Sequence, residues 1–336
     1  MVEKRFAKRF LNCILSHKVG AGVGPVPQQI AFFTQTETCP MPLKALLILV
    51  LAGLLQALSN LFIKESQRKV AFMAIASLIS LIFYFPLFIW AHQKSGLMDP
   101  AQINFWSWIG IIACGGTGAI YYVFVGRAYD RGDLSVIFPV VRGFGPIFIL
   151  IFALILLQEH ISLLGLLGIL IAVFGSYVIH LPSFRVSHLS VPFKAFKSKS
   201  FLYSMEAGAC TATYSLINKK NLEAVDPLTL IYLIFAFMVL FLFVFLLVKN
   251  GSTEIRDEAR TNRRNLLLIG ILTFLGSLLV LYALKISKVS YLGAARNVSI
   301  VFGVLLGSLF LKEGYGKIRF VASLLIFGGV FLISVS

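Results

Sequence analysis

Charged side chains are scarce in this chain of 336 residues, because Asp, Glu, Lys and Arg together make up only 13% of it. A soluble domain carries about 25% charged residues, whereas hydrophobic residues here reach 58% and the mean hydropathy is +0.90. The four cysteines form no CxxC pair, the five histidines are scattered, and no Gly-rich phosphate loop or GxSxG elbow occurs. We therefore interpret the chain as an integral membrane protein that is not an enzyme and requires no metal or cofactor.

Long apolar segments recur along the chain from residue 43 onward. A helix needs about 20 apolar residues to cross ~30 Å of hydrocarbon, because each residue adds about 1.5 Å. Ten such segments lie near residues 43–63, 70–92, 104–126, 134–157, 161–181, 200–218, 227–248, 264–284, 289–311 and 317–335. The sequence therefore predicts an all-α integral membrane protein with ten transmembrane helices.

The two halves of the chain share a register of residue types. A shift of 154 residues superimposes charged, aromatic and glycine positions, namely Arg142 on Arg296, Glu159 on Glu313, Phe148 on Phe302 and Gly175 on Gly329. Five spans per copy is an odd number, so two copies in one bilayer have opposite orientations. We predict two inverted five-helix repeats, over residues 41–187 and 198–336.

Residues 1–40 precede the first repeat and form an N-terminal extension. Apolar residues such as Phe6 and Phe10 alternate there with Lys and Arg, a pattern typical of a short amphipathic helix on a membrane surface. Met41 stands directly before the first span. The alternative interpretation is therefore that translation starts at Met41 and that the extension is a start-site artefact.

Two arginines lie deep inside predicted spans, and one carboxylate falls within a span. A guanidinium near the bilayer centre costs several kcal/mol unless it has a partner or lines a wet cavity. Arg142 and Arg296 are therefore candidate substrate-binding residues. Glu206 is the carboxylate that falls within a span, at about the depth of Arg142, which makes it a candidate proton-coupling residue. Simpler roles stay open, since Glu206 could reach the interface and the arginines could bind carbonyls where the fourth span is interrupted by Pro139, Gly143, Gly145 and Pro146.

Uncharged polar residues provide further candidates for substrate contacts. Asn60 on the first span and Tyr214 on the sixth occupy corresponding stretches of the two repeats, so both are expected to face a central cavity. Tyr121 on the third span and Asn297 beside Arg296 complete this candidate set. Such residues also serve as ordinary contacts between membrane helices. Glu159 and Glu313 lie at span ends, where capping or fastening a turn is the expected role.

The segment from Ala128 to Pro146, followed by Glu159, resembles the end of an EamA repeat in the drug/metabolite transporter superfamily. The segment from Tyr282 through Arg296 to Glu313 resembles the partner repeat. This resemblance extends over roughly residues 42–336 and implies ten helices, a central cavity and export or exchange of small metabolites. One departure is Ser59, at a position where such proteins commonly carry tryptophan.

The net charge of +16 is distributed unevenly over the two predicted membrane faces. Loops after the odd-numbered spans carry 17 Lys and Arg residues, and the opposite face carries 6. Membrane proteins retain basic residues in loops for orientation, so the charge does not indicate a nucleic-acid partner. The longest basic loops, 182–199 and 249–263, are predicted linkers. The orientation of the termini stays open, because the charge asymmetry and the resemblance favour opposite arrangements.

These observations favour a secondary transporter that moves a small polar or anionic metabolite, or a drug-like solute, by alternating access. Proton coupling through Glu206 is one option. The expected location is the inner (plasma) membrane, with a small-molecule substrate and the lipid bilayer as partners and a homodimer left open. The alternatives are a lipid or lipid-linked carrier or flippase, and a non-transporting scaffold or sensor subunit. A wet cavity containing the arginines favours transport, whereas arginines bonded only to backbone favour the scaffold.

Overall fold

The structure is a computed structural model that describes residues 41–95, 100–129, 134–178, 199–249, 251–302 and 317–336. Within these ranges every regular element is helical, so the predicted all-α class is confirmed. The helices are α1 (Leu43–Glu65), α2 (Lys69–Ser95), α3 (Phe105–Tyr129), α4 (Leu134–Leu156), α5 (Leu163–Val178), α6 (Lys199–Asn221), α7 (Pro227–Val248), α8 (Ser252–Thr261), α9 (Arg263–Lys285), α10 (Val289–Ala295) and α11 (Lys317–Ser334), with a 3-10 turn at Pro100–Gln102. The extension at 1–40 lies outside the described residues.

Among the described residues, four helical segments are long and apolar enough to cross a membrane, judged by length and composition: Lys69–Gln93, Phe105–Ala128, Pro227–Val248 and Arg263–Lys285. Four further apolar segments are shorter, namely Leu43–Ser59, Phe144–Leu156, Leu163–Val178 and Phe320–Ser334. Helix α6 belongs to neither group, because polar residues such as Glu206, Thr211 and Asn218 interrupt its apolar ones. The chain is a multi-helix membrane protein, and the count of ten spans stays a prediction.

Helix α8 occupies the region that the sequence predicts to be a basic linker, residues 249–263. Its side chains Ile255 and Ala259 pack against a buried cluster that includes Phe72 and Met73 of α2 and Leu266 of α9. An isolated helix of this length is unstable in water, so tertiary packing of one face stabilises it. The prediction of a loop was wrong at this point, since the packing surface belongs to distant segments.

Helix α4 runs without a break from Leu134 to Leu156. The expected interruption by Pro139, Gly143, Gly145 and Pro146 therefore does not end the helix. The corresponding span of the second repeat is the one that is broken, because α10 ends at Ala295 and helix resumes only at Val298. Two related sequences thus form one continuous and one interrupted helix.

Contacts between helices of the two repeats come in equivalent pairs. When each helix is replaced by its counterpart in the other repeat, one contact of a pair becomes the other. Helix α1 packs on α9 and α6 packs on α3, while α2 packs on α9 and α7 packs on α3. In the same way α4 packs on α6, and α10 packs on α1. Helix α2 packs on its own counterpart α7, and α5 packs on its own counterpart α11. Glycines allow the last pair to approach at backbone distance, since a Cβ on Gly329 would lie 2.6 Å from the Gly168 carbonyl oxygen. This is the contact pattern of a two-fold relation.

Contacts between helix ends reveal the direction of counterpart helices. Glu159, just after the end of α4, contacts the beginning of α10. The Nε2 atom of His92, near the end of α2, lies 3.3 Å from the Oγ1 atom of Thr229, near the beginning of α7. In both cases one helix ends where its counterpart begins. The predicted inverted repeats require this antiparallel relation.

Candidate functional site

A cavity of about 190 Å³ lies between the two repeats. Its walls come from α1, α3 and α4 of the first repeat and from α6, α7, α9 and α10 of the second. The polar lining residues are Gln56, Ser59, Tyr121, Tyr122, Thr211, Tyr214, Ser215, Asn218, Thr273, Ser277, Arg296 and Asn297. At about 30 Å³ per water, this space accommodates several waters or a small metabolite.

The cavity uses the same positions of both repeats. A shift of 155 residues relates lining residues on α1 to those on α6 and lining residues on α3 to those on α9: Gln56 to Thr211, Ser59 to Tyr214, Gly118 to Thr273, Tyr121 to Gly276 and Tyr122 to Ser277. The side chains at these positions differ. The wall formed by α3 and α6 carries three tyrosines, whereas the wall formed by α1 and α9 carries serine and glycine. The positions that line the cavity follow the two-fold relation of the repeats, but the side chains at those positions do not.

Arg296 lies at the break that follows α10. There the backbone N–H groups of Asn297, Ser299 and Ile300 donate to carbonyls three residues back, at 2.9 to 3.1 Å, rather than four residues back. Such 3-10 bonds tighten the chain and reorient the residues between two helical segments. The tightened turn carries Arg296 and Asn297 at the cavity wall. A continuous α-helix would separate these neighbouring side chains by about 100° around its axis.

Arg296 is the charged side chain among the described lining residues, and it is partly buried. Its Nη1 donates a hydrogen bond to the Tyr214 hydroxyl at 3.2 Å. The ion pairs in the described part of the chain, Arg68 with Asp257 and Lys220 with Glu223, do not involve it. The guanidinium is therefore bonded to a neutral hydroxyl, and its other N–H groups are available to bind an anion.

Three further lining residues carry buried polar atoms without a hydrogen-bond partner. These atoms are Asn218 Oδ1, Thr273 Oγ1 and Asn297 Nδ2. The two asparagines are 6% and 3% exposed. A buried polar group left unpaired costs about 1–3 kcal/mol, so a bound molecule that pairs with these atoms gains that free energy. The cavity thus offers a cation, a donor and acceptors within one apolar enclosure.

The sequence-predicted candidates fall into three groups. Tyr121, Tyr214, Arg296 and Asn297 line the cavity together. The side chains of Arg142 and Asn60 lie outside the described residues, although their neighbours Gly145, Pro146 and Ser59 line the cavity. Glu206 is exposed on α6 and is not among the described lining residues.

Sequence reasoning missed Asn218, Thr273 and Ser277 as lining residues. A periodic signal was available for each, since Asn218 follows Tyr214 by four residues and Ser277 follows Thr273 by four. Residues four apart share a helix face. What the sequence does not show is which face of α9 meets the cavity, because α9 is apolar around most of its circumference.

Glu159 lies outside the described cavity lining and caps the beginning of α10. Its Oε1 accepts from the Val289 backbone N–H at 2.8 Å, and its Oε2 accepts from the Ser290 hydroxyl at 2.5 Å and the Ser290 N–H at 3.3 Å. A carboxylate at a helix N-terminus satisfies free N–H groups and complements the helix dipole. Glu159 belongs to the first repeat and α10 to the second. We call this contact the Glu159 clamp.

Lys219 reinforces the same end of the molecule. Its Nζ donates to the carbonyls of Leu284 at 2.9 Å and Ser287 at 2.7 Å, where α9 ends. Lys288 donates to the His160 carbonyl beside Glu159. The ends of α4, α6 and α9 and the beginning of α10 are therefore joined at one membrane face.

Comparisons with known proteins agree with this architecture. The profile of the EamA-like transporter family matches residues 43–181 and 198–335. A solved structure described only as "Crystal structure of protein" has a TM-score of 0.59 and 15% identity, and the alignment covers 86% of this chain and 98% of that one. At this identity the likeness concerns the fold alone. No curated protein sequence matches the chain.

Proposed function

The chain belongs to the EamA-like transporter family, a family of membrane transporters in the drug/metabolite transporter superfamily, and from this premise we propose that it carries a small anionic or polar metabolite through the cavity between its repeats. The proposed mechanism is alternating access, in which one repeat moves against the other around a site near the midplane. The proposed location is the inner (plasma) membrane.

The observation that carries this proposal is the setting of Arg296. Its guanidinium lines the cavity and bonds to a tyrosine hydroxyl, with no part in the described ion pairs. Two unit charges 4 Å apart attract by about 4 kcal/mol at an effective dielectric constant near 20. An anionic group that enters the cavity therefore gains more from Arg296 than the tyrosine supplies.

The setting of Arg296 also favours transport over a scaffold role. A structural arginine in a membrane protein donates to backbone carbonyls in a packed core. Arg296 instead has a side-chain partner and faces open volume. The neighbouring unpaired atoms of Asn218 and Asn297 support a binding role, since a packed scaffold gains nothing from leaving them without partners.

Proton coupling through Glu206 is a separate part of the proposal. Glu206 shares α6 with Tyr214, about two turns away along the helix, and its side chain is exposed in this conformation. Coupling therefore requires a conformation in which α6 presents a different face. Transport measured across a range of external pH in Glu206→Gln proteoliposomes tests it, and an unchanged pH dependence removes Glu206 from the mechanism.

Arg296→Gln tests the binding site directly. Losing a charge-assisted hydrogen bond costs about 1.5–3 kcal/mol, so we expect affinity for an anionic metabolite to fall roughly 10- to 150-fold. The measurement is a thermal-shift screen of the purified full chain against metabolite carboxylates and phosphates, followed by uptake of each hit into proteoliposomes. Arg296→Lys should retain part of the affinity, because it keeps the charge.

Arg68→Gln is the matched control, because Arg68 is also a partly exposed arginine but pairs with Asp257 away from the cavity. It should bind and transport like the unmodified chain. Wild-type transport by Arg296→Gln would show that the cavity arginine does not bind substrate.

A further inference from the structure

Helix α8 and the first turn of α9 form a surface on which one carboxylate is buried and four arginines are exposed. On its inner side, Glu258 is 4% exposed. Its Oε1 accepts from the Ser66 hydroxyl at 2.9 Å and from Asn262 Nδ2 at 2.6 Å. Asp257 pairs with Arg68 at 2.8 Å. Both carboxylates therefore hold α8 onto the loop between α1 and α2.

The arginines of the same segment face outward. Arg256 and Arg260 on α8 and Arg263 and Arg264 on α9 are exposed, and the ion pairs in the described part of the chain leave all four out. Glu254 is the exposed carboxylate that remains near them. We call these four arginines the arginine patch. The patch is positive, because Glu258 is buried and Asp257 is paired with Arg68, which leaves Glu254 as the unpaired acid beside four arginines.

The arginine patch lies at the depth of lipid headgroups. Leu267 and Leu268, which follow on α9, are 56% and 41% exposed and belong to a segment apolar enough to span a membrane. At 1.5 Å per residue, Arg263 and Arg264 lie about 4.5 to 7.5 Å along the axis from these lipid-facing leucines. Guanidinium groups at this position are within reach of the phosphate groups of a bilayer that surrounds the apolar segment.

Helix α8 is fixed in place rather than free to leave the surface. Ile255 and Ala259 pack against the cluster formed by α2 and α9, and Ser66 and Asn262 hold its buried carboxylate. A rigid row of arginines binds an anionic surface with little loss of conformational entropy. The face also belongs to the more basic side of the molecule, with 17 Lys and Arg residues against 6 on the other, or 11 with the five of residues 1–40.

We propose that the arginine patch binds the headgroups of anionic phospholipids and so seats this face of the transporter on the anionic leaflet. The occupant is a lipid surface because the patch adjoins lipid-facing leucines and lies outside the cavity. Arg256 and Arg260, four residues apart on α8, share one helix face, while Arg263 and Arg264 stand at the start of the apolar segment of α9. The site is separate from the proposed substrate site.

The test uses the full chain and lipid vesicles of two compositions, phosphatidylcholine alone and phosphatidylcholine with phosphatidylglycerol. Each patch arginine contributes about 1 kcal/mol near an anionic surface, so the double variant Arg263→Gln with Arg264→Gln should bind phosphatidylglycerol roughly 30-fold more weakly. The readout is the amount of phosphatidylglycerol that co-purifies with the protein from mixed vesicles, with the melting temperature as a check on folding.

Lys285→Gln is the matched control, since Lys285 is an exposed cation in the last turn at the opposite end of α9. It should retain phosphatidylglycerol, as should the charge-preserving double variant Arg263→Lys with Arg264→Lys. Equal retention by the glutamine double variant and the unmodified chain would overturn the proposal. So would a loss of equal size in Lys285→Gln, since that would reflect overall charge, and so would preferential retention of nucleic acid or an acidic protein.

Discussion

At the residue scale, the cavity depends on side chains that differ between positions equivalent by sequence. Tyr214 supplies the hydroxyl that accepts a hydrogen bond from Arg296. Its counterpart in the first repeat is Ser59, whose side chain is much shorter. The aromatic side chain expected at residue 59 from the family resemblance is thus absent there. A tyrosine stands instead at the equivalent place on α6, beside the arginine of the broken helix.

Asn297 allows a prediction that separates binding from stability. Asn297→Leu removes a buried donor that has no partner, so the free energy of unfolding should stay the same or rise by up to about 1–3 kcal/mol. Affinity for the transported metabolite should fall, because the donor in the cavity is lost. Thermal melts without ligand and binding titrations with it are the two measurements.

Asn221→Leu is the control for Asn297→Leu. Asn221 also has a buried amide nitrogen without a partner, but it is not among the described lining residues. The two variants should therefore shift stability in the same direction, while only Asn297→Leu changes affinity. Equal affinity in both would place Asn297 outside the binding site.

At the element scale, the short helix α10 is held at both ends by residues from elsewhere. The Glu159 clamp satisfies N–H groups at its beginning, and Arg296 at its end bonds to Tyr214 of α6. Gln158 precedes the clamp with φ of 50°, and the Glu159 N–H returns to the Ala153 carbonyl at 3.1 Å. This left-handed residue ends α4 and turns the chain so that Glu159 contacts α10.

Glu159→Gln should weaken this coupling while preserving the shape of the side chain. Replacing a carboxylate that accepts three hydrogen bonds at a helix N-terminus costs about 1–2 kcal/mol in stability. We also expect slower transport, because α10 then holds Arg296 less firmly. Melting temperature and initial transport rate in proteoliposomes are measured together.

Glu223→Gln is the matched change at the same membrane face, since Glu223 is exposed and pairs only with Lys220. An exposed pair contributes little, so this variant should melt and transport like the unmodified chain. Identical behaviour of the two variants would mean that the Glu159 clamp has no role beyond surface charge.

At the scale of the whole molecule, the two-fold contact pattern predicts that counterpart loops lie on opposite sides of the membrane. Gln67, between α1 and α2, and Glu223, between α6 and α7, are exposed residues in corresponding loops. In a chain whose four native cysteines are replaced by serine, Gln67→Cys and Glu223→Cys should react with a membrane-impermeant maleimide from opposite sides. Labelling of both from one side would contradict inverted repeats.

The sequence by itself determined the class of the protein, its two repeats and part of the cavity lining. Composition and apolar runs require a membrane protein, because so little charge cannot cover a soluble surface. The shared register of Arg142 with Arg296 reveals the duplication without any structure. Tyr121, Tyr214, Arg296 and Asn297 could be selected because a polar group inside an apolar span is costly and is retained for contact or function.

Only the tertiary structure decided which polar groups meet. Whether a residue such as Thr273 faces the cavity or Glu206 faces outward depends on how a helix is rotated against its neighbours, and an apolar helix carries no strong mark of its inner face. The break at Arg296 and the folding of α8 also depend on distant contacts, namely the Glu159 clamp and the cluster under Ile255. Local sequence sets what each segment can form, and packing between segments far apart in the chain selects among those forms.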